Sequence, residues 1–201
     1  MKRIIILVLL FFAWKQYYYI ESAPSVGAGI LSGGGPFVSS SDLSNFREGD
    51  YTYSPRSIFE VDARVLKVSN YYFDRMSRIS PMDMVVGWND LSDESVTDLV
   101  DISIRDRDYS WDLNGAPISS NVVAAQTVLL HMIPKNGRIK SLMKTVKIGD
   151  VVVVRGYLVD VKSAAGLKWQ TSGSRPGKGQ TSGKLLYVTD LEIIAPYLRM
   201  N

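Results

Sequence analysis

The chain has 201 residues, 46% hydrophobic and 21% charged, which is the balance of a globular protein rather than a disordered or collagenous one. It has no cysteine and one histidine, His131. Cys/His zinc sites, thiol nucleophiles, iron–sulfur clusters, c-type haem attachment and disulfides are therefore excluded. There are 23 Lys and Arg against 20 Asp and Glu, a formal charge of +3. Lys2, Arg3 and Lys15 precede the first acid, Glu21, so the rest of the chain is formally neutral.

The N-terminus carries a basic start and then an unbroken apolar run, Ile4 to Trp14. This is the pattern of an export signal or of a membrane anchor. Counting on through Tyr17, Tyr18, Tyr19 and Ile20 brings the run near the ~20 residues that a bilayer span needs. The tyrosines would then lie at the interface, with Lys2 and Arg3 on the cytoplasmic side. Residues 1–20 are expected to be a signal-anchor or signal peptide. Cleavage would leave a secreted protein; retention would leave a domain on the periplasmic or extracellular side of the cell membrane.

Residues 21–50 are rich in Gly and Ser and read as a linker. As a flexible coil it would reach about 30 Å. Residues 51–201 read as a single β-rich domain. In Ile58–Val65 the apolar residues Phe59, Val61, Ala63 and Val65 alternate with charges, as in a half-buried strand. Leu66 and Val68 then take over the apolar phase, which predicts a bulge.

Ser80-Pro81-Met82-Asp83 has the order of a helix start, and predicts a short helix ending near Gly87. Ser92-Asp93-Glu94-Ser95 predicts a second one. Ile102–Ile104 and Tyr109–Trp111 read as short strands. Asn121–Ile133 fits a helix or a buried strand, closed by Pro134. A turn at Lys147–Asp150 leads into the β-branched run Val151–Val161, whose Gly156 marks a bend or a close backbone approach. Lys168–Thr171 and Lys184–Ile194 read as strands around a polar loop, Ser172–Gly183.

The segment Lys147–Val161, KIGDVVVVRGYLVDV, resembles the middle strands of small OB-fold-like barrels, although SH3-like barrels and biotinyl-type domains use similar turns. The resemblance implies a small OB-like β-barrel; with the elements above, the expected fold is α+β or mainly β, that barrel decorated with short helices and preceded by the N-terminal membrane-anchor helix. A longer stretch, about Tyr71 to Val188, resembles a bacterial family of single-anchor envelope proteins. Its marks are Tyr71-Tyr72-Phe73-Asp74, Ile79–Trp88, Leu91-Ser92-Asp93, His131–Pro134, Trp169–Ser172 and Ser174-Arg175. That resemblance implies an anchored, exported protein and no particular chemistry.

Candidate chemistry is sparse. His131 is the one general base available near neutral pH, and a hydrolase would need it beside a serine such as Ser80 or Ser174. Its apolar neighbours favour a structural histidine. Acids dominate Asp83–Asp112, but no calcium-loop spacing accompanies them, so no metal site is expected, and no cofactor. Bases dominate Lys135–Lys184, with Trp169 among Lys162, Lys168 and Arg175. Trp169, Arg175, Lys168 and Trp88 are the ligand-binding candidates. The reading is a membrane-anchored, non-enzymatic binding or assembly module. Its partners would be the membrane, an envelope protein or an anionic polymer, or a second copy of the chain; nucleic acid is not expected. The alternative is a hydrolase using His131 with a loop serine.

Overall fold

The structure, a computed structural model, describes residues 6–8, 10–11, 25–172 and 183–194. Most of the expected anchor, with Ser174 and Arg175, lies outside the described residues. No helix among the described residues is long and apolar enough to cross a membrane.

The domain is mostly β-sheet with a few short helices. Its strands are β1 (Phe37–Ser40), β2 (Phe46–Glu48), β3 (Tyr51–Asn70), β4 (Met82–Gly87), β5 (Asp101–Arg105), β6 (Asp108–Asp112), β7 (Thr127–Pro134), β8 (Val151–Ser163), β9 (Lys168–Trp169) and β10 (Lys184–Ile194). The helices are α1 (Glu94–Thr97), α2 (Ser120–Gln126) and α3 (Gly137–Met143), with a 3-10 turn at Asn89–Ser92. Strands β3, β4, β7, β10 and β8 pair in that order, and β8 pairs again with β3. All these pairings are antiparallel except β7–β10. The main core packs on these strands, with Phe59, Met84, Leu130, Met132, Val154 and Leu186 fully buried. The hairpin β5–β6 and helix α2 cover a separate cluster around Val85, Leu91 and Leu129.

The predicted slip in β3 is a bulge between Val65 and Lys67. The 147–150 turn holds it: the Val65 carbonyl accepts from the Gly149 N–H, and the Val65 N–H donates to the Asp150 carbonyl, both at 2.8 Å. Gly149 has φ +94°, a conformation that favours glycine. Gly156 is a close approach, because a β-carbon there would come within 2.1 Å of the Tyr187 carbonyl oxygen.

The expected helix from Ser80 to Gly87 is instead strand β4, and all six of its residues are buried. Ser80 and Pro81 fit a helix start, but Met82, Met84 and Val86 fill the main core while Val85 packs on the opposite face. Burial on both faces outweighs the local capping signal. Asp93 does cap α1, accepting from the Ser95 N–H, but that helix lasts one turn. Asn121–Ile133 contains both candidates, divided between α2 and β7.

Residues 25–50, linker-like in composition, are docked on the domain. β1 and β2 pair with β3. Ser32 is buried; its hydroxyl donates to the Asp62 carbonyl, and its carbonyl accepts from the Asn89 N–H at 2.7 Å. The Glu94 carboxylate accepts from the Ser25 hydroxyl and from the Val26 and Gly27 N–H groups at 2.6–3.0 Å.

Candidate functional site

β4 and β7 pair so that Asp83 stands directly opposite His131. Their neighbours in each strand, Met82, Met84, Leu130 and Met132, belong to the main core. Alternation along a strand therefore turns Asp83 and His131 to the outer face. There the His131 Nδ1 donates to Asp83 Oδ1 at 2.9 Å, and Arg107 Nη1 donates to the same oxygen at 3.1 Å. Two donors on one carboxylate oxygen assign the ring proton to Nδ1 and direct Nε2 at Gly183. Asp83 is 0% exposed and His131 3%.

Arg107 comes from the tight turn of the β5–β6 hairpin, where Asp106 and Arg107 both have positive φ. Its other nitrogen, Nη2, donates to Asp74 Oδ2 at 3.0 Å and to the Ser80 carbonyl at 3.1 Å. The guanidinium carbon lies 3.9 Å from the centre of the Tyr71 ring and 5.5 Å from that of Trp169. Such stacking suits the planar guanidinium. Burial pushes the Tyr71 hydroxyl up to about 12, helped by the charge of Asp83 and opposed by Ser69 and Arg107. Tyr71 is thus a neutral phenol at physiological pH. Trp169 also lies 5.0 Å from the His131 ring, at 47°.

Beyond the imidazole opens a cleft of about 470 Å³, lined by His131, Asp160, Lys162, Lys168, Trp169, Gln170 and Gly183. Asp160 anchors its wall, accepting from Arg56 Nε at 2.8 Å and from the Thr171 N–H at 3.1 Å. Thr171 Oγ1 accepts in turn from the Leu185 N–H. Lys162 and Lys168 are direct partners across β8–β9, both exposed, with no acidic partner among the described residues. Like charges facing each other across two strands repel, and an anion between them relieves the repulsion. Nearby, burial lowers the pKa of Lys184, whose ammonium donates to the Ser172 carbonyl at 3.2 Å.

The structure brings His131, Trp169 and Lys168 together and separates Trp88 from them. Trp88 is 7% exposed in the main core, its indole against Gly35. Ser80 lies near the cluster, but its hydroxyl donates to the Met82 carbonyl and only its carbonyl meets Arg107. No serine hydroxyl among the described residues hydrogen-bonds His131. The acids of 83–112 are spread out: Asp83 serves the cluster, Asp90 accepts from Gln126, and Glu94 holds residues 25–27. Among the described residues, no three acids or histidines gather as a metal site would require.

Sequence reading missed Arg107, Asp83 and Tyr71 as site residues. One signal was present: a lone carboxylate inside the apolar run Met82–Val86 needs a buried counter-charge. No protein-family model, no curated protein and no solved structure matches the chain.

Proposed function

We propose that this chain is a non-enzymatic binding module of the cell envelope, tethered through residues 1–20, which takes an anionic polymer in the cleft beside His131. The fold belonging to this reading is a small OB-like barrel. Supporting it are the strand pairings that return to β3, the parallel β7–β10 pair, the place of α3 between β7 and β8, and the core packed on those strands. In OB folds the face of the second and third strands, with the loops between strands 1–2 and 4–5, holds oligosaccharides and oligonucleotides. Here the corresponding face is β4–β7, carrying Asp83 and His131. The corresponding loops supply Tyr71 and Asp74 on one side and Trp169 on the other.

The observation that carries the reading is the facing pair Lys162 and Lys168 beside Trp169; the one acid on the cleft wall, Asp160, is paired with Arg56, and neither lysine has an ion-pair partner among the described residues. An acidic saccharide would satisfy both, its carboxylates on the lysines and its ring on the indole. The test is titration of the full chain with an oligogalacturonate, alongside the double variant Lys162→Gln/Lys168→Gln and Trp169→Ala. Each variant should weaken binding about tenfold. Unchanged affinity in both would overturn the reading.

A hydrolase remains the second reading, favoured by one observation: Asp83 orients His131 Nδ1 as a triad carboxylate does. His131→Ala would abolish any such activity.

A further inference from the structure

On the other side of Tyr71, between the 71–81 loop and α3, lies a cleft of about 300 Å³. Arg78, Lys140 and Lys144 stand on its walls, Met82 and Met143 form an apolar floor, and no carboxylate lines it. None of the three cations has an ion-pair partner among the described residues. The two charged loop residues nearest in sequence are turned elsewhere: Asp74 binds Arg107, and Arg75 donates to the Ala165 carbonyl at 3.2 Å. Beside the cleft the same loop carries Phe73, 93% exposed, with Tyr72 at 60% and 6.3 Å from it, ring centre to ring centre.

We propose that this cleft seats the phosphate of an anionic phospholipid, with Phe73 entering the interfacial layer beside it. Three cations without an internal acid match a phosphodiester headgroup. Phe73, 93% exposed beside the cations, matches the headgroup and acyl boundary of a bilayer, where such a ring is favoured. A free phosphate would use the cations and leave the exposed Phe73 ring unexplained, and for that reason the lipid is the occupant. The site is separate from the Lys162/Lys168 cleft and does not depend on the reading proposed for it.

The absence of cysteine gives a clean test, because a single Phe73→Cys substitution takes one spin label. The labelled full chain is reconstituted in phosphatidylcholine nanodiscs with and without phosphatidylglycerol. With the anionic lipid, the label should become accessible to oxygen and protected from a water-soluble nickel complex. The triple substitution Arg78→Gln/Lys140→Gln/Lys144→Gln, at exposed positions, should raise the phosphatidylglycerol content needed for half the effect about tenfold. Circular dichroism of that variant should match the parent, and a label at Ser141→Cys on α3 should report the same transition. Three results would overturn the proposal: equal accessibility in both nanodiscs, no response to the triple substitution in a folded protein, or the same protection produced by inorganic phosphate or by a soluble phosphopeptide without lipid.

Discussion

Gly183 leaves no room for a side chain beside the imidazole of His131: a β-carbon at residue 183 would come within 2.0 Å of Nε2. The Asp83 carboxylate holds the ring at Nδ1, and the missing side chain of residue 183 leaves the space beside Nε2. Gly183→Ala should displace the imidazole and lower stability by about 1–3 kcal/mol, read from urea unfolding. Gly156→Ala should cost at least as much, because its obstacle is the Tyr187 backbone carbonyl and not a movable side chain. An unchanged midpoint for Gly156→Ala would mean that β8 and β10 are further apart than described.

Asp83 holds two donors with a carboxylate of zero exposure, and the Arg107 side chain is 14% exposed. Asp83→Asn removes the buried charge and leaves the guanidinium with Asp74, 42% exposed, as its remaining acid, which should destabilise the domain by about 1–3 kcal/mol. Adding Arg107→Met should restore part of that loss, since the mostly buried cation is then gone as well. A double-mutant cycle in denaturant measures the coupling. Additive losses would mean that the two side chains do not share a buried pair.

Glu94 gives the docked N-terminal segment a pH dependence. Burial raises its pKa, but the Val26 and Gly27 N–H groups, the Ser25 hydroxyl and the charge of Arg64 outweigh it, and the net shift is downward. A carboxylate with a depressed folded pKa contributes stability above its ordinary value of 4.5, and that contribution is lost as pH falls through the depressed value. The Val26 and Gly27 amides should therefore be protected from hydrogen exchange at pH 6 and lose protection in the acid range below 4.5. Glu94→Gln should expose them roughly tenfold at pH 6 while leaving the β7 amides unchanged. Equal protection in the variant would assign the docking to β1 and β2 instead.

Much of the sheet was legible because its signals are local. The phase slip at Leu66, the close approach at Gly156, and the strands at 151–161 and 184–194 each show within a few residues of sequence. β4 was not legible: the helix-start order Ser80-Pro81 is local, whereas the burial that overrides it comes from β3 and β7. The site was legible only as separate residues. Trp169, Lys168 and His131 were candidates on their own chemistry. Their meeting, and the part played by Arg107, depend on a hairpin turn and a strand pairing that join residues 24 and 48 positions apart. Trp88 shows the reverse, a tryptophan with ligand-binding chemistry spent on packing.

The long strand β3 pairs with β1, β2, β4 and β8 and so acts as the spine of the domain. Its pairing with β8 joins Tyr51 to Ser163 and Arg64 to Val151, across most of the chain between them. Loop-closure entropy of that size must be met before the contacts give anything back, so this pairing should slow folding. A topology so rich in distant partners folds in roughly milliseconds to seconds. Until β8 arrives, β3 presents an open edge, and newly made chains are at greatest risk of joining one another along it. Once the pairing forms, that edge is gone.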